Sequence, residues 1–150
     1  MSRRFAAGAL ILFKDPKTGE RFVLLQRRSE LEHEPLSWSV YGGEAEPGET
    51  PAECMLREVD EEAGFDLSRL SRVAVYTHHE ACNEFAFHTF AVNVPRKLEP
   101  KHSRETLEAK WFLLGKTPET LWENLPQPLH SGMEPMIRNQ TATKLVDMVA

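Results

Sequence analysis

Cysteine is scarce in this chain, with two in 150 residues, Cys54 and Cys82. Two thiols make neither a disulfide framework nor a zinc-ligand pattern, which points to a reducing cytoplasm. Basic excess is missing as well. The 18 Lys and Arg face 23 Asp and Glu, for a net charge of −5. That excludes a large nucleic-acid surface and a general binder of anionic membranes. Nor is there a stretch approaching the ~18 apolar residues that a membrane-spanning helix needs. The run Phe5 to Phe13, preceded by Arg3 and Arg4, superficially resembles a short signal peptide. No small-x-small cleavage site follows it, and the turn Lys14-Asp15-Pro16-Lys17-Thr18-Gly19 comes next, so it is expected to be a buried strand. Internal repeats, low-complexity tracts and linkers are also absent. One domain over residues 1–150 is therefore expected, with enough apolar residues (41%) for a core that needs no staples.

What is present is an order of elements. Phe5–Phe13 and Phe22–Gln26 flank a Pro/Gly turn and predict a β-hairpin. Arg28 to Ser37 is a polar loop, and Trp38 to Tyr41 a short strand ending at Gly42-Gly43. Thr50-Pro51-Ala52-Glu53 opens a helix with an N-cap, a proline at the first helical position and a capping-box glutamate; Gly64 closes it. Strands are expected at Arg72–His79, Glu84–Val94 and Ala109–Leu114. A polar loop should fill Pro95 to Thr106, with a short helix near Pro118–Asn124 and a C-terminal helix from about Met133. Strands with one inserted helix and helices at the end predict an α/β (α+β) fold, a mixed β-sheet with helices on its faces.

Charge is concentrated in one place. Between Glu44 and Asp66 stand nine acids and one base, Arg57, a charge of −8 over 23 residues. On a helix, Glu58, Glu61 and Glu62 share an arc of roughly 100°, while Ala52, Leu56, Val59 and Ala63 occupy a different one that would face the sheet. Carboxylates at i, i+3 and i+4 repel one another unless a cation joins them. An all-oxygen set suits Mg²⁺ or Mn²⁺, and Mg²⁺ usually combines a few carboxylates with substrate phosphates. The alternative at this point is an ordinary solvated acidic face.

The wider spacing decides between them. Gly43, Glu49, Arg57-Glu58, Val59, Glu61-Glu62, Gly64 and Phe65 stand at the intervals Gly-x5-Glu-x7-Arg-Glu-apolar-x-Glu-Glu-x-Gly-apolar. This resembles the Nudix box at all nine specified positions, a coincidence of order one in ten million at average residue frequencies. The flanks are similar to the family too: Ala7-Gly8-Ala9-Leu10, the strand ending Gln26-Arg27-Arg28, the approach Trp38 to Gly43, and a glutamate segment before Trp111-Phe112. Tyr41 departs from the pattern, standing where many members have proline. The resemblance implies a Nudix-type α/β/α sandwich with the box as loop–helix–loop. It implies a metal-dependent pyrophosphohydrolase that cleaves a phosphoanhydride in a nucleotide or nucleoside-diphosphate conjugate. Glu58, Glu61, Glu62 and the Gly43 carbonyl would hold the metal, and Glu49 would pair with Arg57. Gly43 is expected to need either φ > 0 or a close approach that a Cβ would block.

Outside the box, similar proteins have a glutamate before Trp111 that reaches the metals or acts as base; Glu105 is preferred over Glu108 for it, and Arg27 or Arg28 is a candidate phosphate contact. Trp38, Trp111 and Cys54 read as packing residues, and His78 and His79 lack zinc-ligand company. The expected partner is a small nucleotide derivative rather than a membrane, and a homodimer is left open. Two other functions remain: a Nudix-like regulatory or nucleotide-binding domain without catalysis, and an isoprenoid-diphosphate isomerase. The isomerase would draw on Cys82 beside His78, His79 and Glu80.

Overall fold

β1 (Arg4–Lys14) is buried along most of its length and sits at the centre of a seven-stranded mixed sheet. The computed structural model describes residues 4–80 and 84–149. One edge of β1 pairs in parallel with β6 (Phe85–Asn93), which pairs antiparallel with β5 (Arg72–His79). Its other edge is divided. Residues 11–14 pair with β2 (Arg21–Arg28), closing the expected hairpin, and residues 6–9 pair with β4 (Tyr41–Glu44). β3 (Trp38–Ser39) joins the far half of β2, and β7 (Thr106–Leu113) lies along the other edge of β2. The segment Trp38 to Glu44 thus bridges the gap where β1 and β2 separate.

Two apolar cores follow from strand alternation. On one face Ala7, Ala9, Ile11, Leu24 and Tyr41 pack against α1 (Pro51–Ala63). On the other, Leu10, Leu12, Val23, Leu25 and Trp38 pack against the C-terminal segment with α2 (Glu134–Arg138) and α3 (Gln140–Met148). This is the expected α/β/α sandwich. Helix α1 begins and ends where its signals predicted. Thr50 accepts from Glu53 N–H, the Glu53 carboxylate returns to Thr50 N–H at 2.9 Å, and Gly64 terminates at φ 80. Only glycine takes that left-handed cap cheaply.

Four expectations need correction. Pro118–Asn124 is a series of turns, with i→i+3 bonds from Thr120 N–H to Thr117 O and Glu123 N–H to Thr120 O. The C-terminal helix is two helices, because Asn139 adopts an extended conformation and turns its side chain to cap α3 at Ala142 N–H, 2.9 Å. The strand expected over Trp38–Tyr41 is interrupted at Val40, since β3 and β4 pair with different neighbours. β7 starts at Thr106 rather than Ala109, drawn back by its pairing with β2 up to Arg28.

Candidate active site

Helix α1 buries Cys54, Met55, Val59 and Ala63 against the sheet. Leu56 packs at the margin of that core. The remaining face carries Arg57, Glu58, Glu61 and Glu62 past the end of β4.

Arg57 organises the loop between β4 and α1. Its Nε and Nη2 donate to the two Glu49 carboxylate oxygens at 2.8 and 3.0 Å, and Nη2 also donates to the Glu44 carbonyl at 3.0 Å. Nη1 reaches Glu58 at 2.9 Å and Glu61 at 3.1 Å. The Glu49 pair is a bidentate fork, which fixes direction as well as distance. Glu53, a competing surface partner at i−4, is occupied by the capping box instead. The Arg57 hydrogen bond holds the Glu49 carboxyl below its ordinary value, and its carboxylate partners hold the Arg57 guanidinium above its own.

Gly43 shows why the first box position lacks a side chain. Its φ is not left-handed, so that half of the expectation fails. A Cβ here would lie 2.6 Å from the Glu58 carboxylate carbon. Close approach is the reason. The Gly43 carbonyl also accepts the Cys54 thiol at 3.3 Å. Burial pushes that thiol up to about 11, as suits a packing residue.

Glu58, Glu62 and Glu105 are brought together, and Glu61 is not. The Glu61 side chain is 56% exposed and turned toward Arg57, although it shares the helical arc of the other two. Burial, then the contacts with Glu105 and Glu58, push the Glu62 carboxyl up to about 9. Glu58 is raised by burial against the opposing pull of Arg57. Among the described residues no three acidic, histidine or cysteine side chains stand as a finished cation cage. The donor chemistry nevertheless suits a hard divalent cation, since the half-buried Glu58 and Glu62 carboxylates adjoin one another, with exposed Glu105 against Glu62. A cation would replace shared protons as the charge that holds them.

Two further residues adjoin Glu62: Gln26, which the sequence did not single out, and Tyr41, marked there only as a departure from the family pattern. Gln26 is 4% exposed; its Nε2 donates to the Val40 carbonyl at 3.2 Å and, at 3.5 Å, to Glu62, while its Oε1 accepts from Thr106. One signal was available, a lone amide ending the apolar run of β2. Tyr41, in the position of the common proline, is fully buried beside Glu62, and its hydroxyl has no partner among the described residues. Burial raises its phenol.

Beyond β4, on the side of α2, lies a cavity of about 110 Å³ bordered by Gly42 and Gly43. Phe87, Met133 and Met136 give it apolar walls, and Arg28, Ser39 and His130 its polar groups. The Ser39 hydroxyl is buried without a partner among the described residues. Of the two candidate arginines, Arg28 reaches this cavity, and its Nε is tied to the His33 carbonyl at 2.6 Å. Arg27 donates to the Leu36 carbonyl at 3.2 Å and does not border the cavity. Glu108 stands 3.9 Å from Lys110, along β7. Trp38 is buried in the core, and Trp111 is half-buried with its indole N–H on the Leu98 carbonyl. Cys82, on which the isomerase alternative depends, lies outside the described residues.

A mixed sheet between helical layers, with a glutamate-bearing helix clamped by an arginine at the end of a glycine strand, defines a Nudix-type domain. A family model described as NUDIX domain matches residues 3–139. The chain belongs to the Nudix family. It is 29% identical over 133 residues to the putative 8-oxo-dGTP diphosphatase 3 of Mycobacterium tuberculosis (strain CDC 1551 / Oshkosh), a match covering 86% of this chain and 58% of that protein. The chain thus spans less than two thirds of the length of that curated relative. A crystal structure of a Nudix hydrolase from M. smegmatis, RenU, superposes with a TM-score of 0.70 at 24% identity, covering 95% of this chain and 83% of that one; this likeness shows the fold. A C. elegans Ap4A hydrolase binary complex gives 0.59 at 25% identity over 71% of this chain and 77% of that one.

Proposed function

We propose that this domain, spanning the chain, is a Mg²⁺-dependent pyrophosphohydrolase of nucleotides, with Mn²⁺ as a substitute ion. The observation that carries this is the Glu62 carboxyl in contact with both Glu105 and Glu58, with Glu58 against Gly43 and bonded to Arg57, next to a cavity with apolar walls. When bound, the cation would neutralise phosphoryl oxygens and make water acidic enough to attack at neutral pH. Glu58, Glu62 and the Gly43 carbonyl are its candidate ligands. Glu61, now paired with Arg57, would be a further ligand on leaving it. Glu105, in contact with Glu62 but carried by another element, would accept the proton of the attacking water.

The cavity beyond Gly42-Gly43 is suited to the heterocycle of the substrate, because apolar walls with a few polar groups bind flat, partly polar rings. Relatives named 8-oxo-dGTP diphosphatases make nucleoside triphosphates the first substrates to try. No helix among the described residues is long and apolar enough to cross a membrane. The support for a cytoplasmic location is the two-cysteine composition. The test is a panel of nucleoside triphosphates, oxidised dGTP, diadenosine polyphosphates, ADP-ribose and isopentenyl diphosphate with Mg²⁺, scored for pyrophosphate, phosphate and nucleoside-monophosphate release and, for the last, for double-bond isomerisation. Tight binding without turnover across the panel would favour the regulatory alternative, and turnover of isopentenyl diphosphate alone the isomerase.

A further inference from the structure

The loop between β2 and β3 is closed by a residue in an unfavourable conformation. Glu34 has φ 51, in the left-handed region that a Cβ disfavours, and Leu36 follows at φ 64. The Glu34 carboxylate is directed at a segment 97 residues away. Its Oε1 accepts the Ser131 N–H at 2.9 Å, and its Oε2 accepts the Ser131 hydroxyl. Oε2 also lies 3.1 Å from His130 Nε2. A backbone latch runs beside this clasp: Trp38 N–H donates to Pro128 O at 2.9 Å, and His130 N–H to Trp38 O at 2.8 Å.

These contacts fix the state of the His130 ring. Nδ1 accepts the Gly132 N–H at 3.0 Å, so in the neutral ring the proton is on Nε2, facing Glu34. Burial, with Arg28 and His33 adding to it against Glu34, lowers the imidazole below its ordinary value, which favours the neutral ring. Both nitrogens are therefore committed within the protein. What His130 can offer the cavity it lines is its carbon edge and its aromatic face.

We propose that His130 is a specificity-determining contact, an aromatic wall against which the substrate's heterocycle stacks, and that Glu34 is the positioning residue that holds it there. Both roles rest on the nucleotide hydrolysis proposed above. The ring needs neither nitrogen for a ligand, and an uncharged face stacks without desolvating an ion. Glu34 acts through His130 and touches no substrate, which accounts for a strained residue kept in a surface loop.

The experiment measures KM and kcat with the best nucleotide of the panel, and inhibition by inorganic tripolyphosphate, which has no heterocycle. Thermal melts check that each variant folds. His130→Ala should raise KM by roughly tenfold, the scale of one lost base–aromatic stack, and Glu34→Ala by roughly threefold, since the ring remains but is no longer held, with kcat within about twofold in both. His130→Phe, which keeps a face and discards both nitrogens, should stay within about threefold of wild type in KM. The double alanine variant should be no worse than His130→Ala alone, because Glu34 works through that ring. Tripolyphosphate inhibition should be unchanged throughout. An unchanged KM in Glu34→Ala, a His130→Phe variant as poor as alanine, or equal weakening of tripolyphosphate would overturn the proposal while leaving the nucleotide hydrolase intact. A wild-type protein that turns over no nucleotide would overturn both.

Discussion

Arg57 grips Glu49 through two hydrogen bonds of 2.8 and 3.0 Å, tying the middle of α1 to the loop that leads into it. The same guanidinium reaches Glu58 and Glu61, so one side chain sets the direction of three carboxylates. Its side chain is only 21% exposed, which limits the screening of these contacts by water.

Replacing that guanidinium separates geometry from charge. Arg57→Lys keeps a cation but cannot form the fork, so the protein should fold with a melting temperature within a few degrees of wild type, and kcat should fall about tenfold or more. Arg57→Ala leaves the carboxylates facing one another and should also lower stability, by roughly 1–3 kcal/mol. Thermal melts and steady-state kinetics on both variants check this. A lysine variant with full turnover would mean that the fork orients nothing that matters to the reaction.

Gly43→Ala places a methyl carbon 2.6 Å from the Glu58 carboxylate, so that side chain must move. The backbone at Gly43 is not left-handed, so the substitution brings no conformational strain of its own. The variant should fold, bind Mn²⁺ more weakly in a spin-resonance titration, and lose about tenfold or more in turnover. Wild-type Mn²⁺ affinity in this variant would contradict the placement of Glu58 at the cation.

The raised Glu62 carboxyl predicts a pH dependence of stability. Burial and its carboxylate neighbours push it up to about 9 from an ordinary value of 4.5, so between these the folded protein holds the proton more tightly than the unfolded chain. Without divalent ions, this group should therefore make stability decline as pH rises through that window. Mg²⁺ takes the place of the proton, so its gain in melting temperature should be larger at pH 8.5 than at pH 6. Glu62→Gln should abolish the difference. Melts at the two pH values, with EDTA and with Mg²⁺, give the comparison.

Local signals carried much of the fold. The ends of α1 were legible because Thr50, Pro51, Glu53 and Gly64 act within a turn of where they stand. The first hairpin was legible because two apolar runs flank a turn. The breaks at Val40 and Asn139 were not, since strand pairing on the split edge of β1 and the side-chain cap of α3 decided them. In the site, helical periodicity put Glu61 on the same arc as Glu58 and Glu62, but it could not show that Arg57, four residues earlier, takes Glu61 outward. Glu34 and His130 had no signal at all. Neither belongs to a motif, and only the folded chain brings residues that far apart into contact.

The most direct test of a carboxylate-held cation at a phosphoanhydride-cleaving site is the rate of product release from the best nucleotide of the panel by wild type, Glu58→Gln and Glu62→Gln, with Mg²⁺ and with EDTA. The arrangement predicts turnover by wild type that EDTA abolishes and Mg²⁺ or Mn²⁺ restores. Each glutamine variant should lose about tenfold or more while remaining folded. Turnover that survives EDTA, or Glu62→Gln at the wild-type rate, would contradict it.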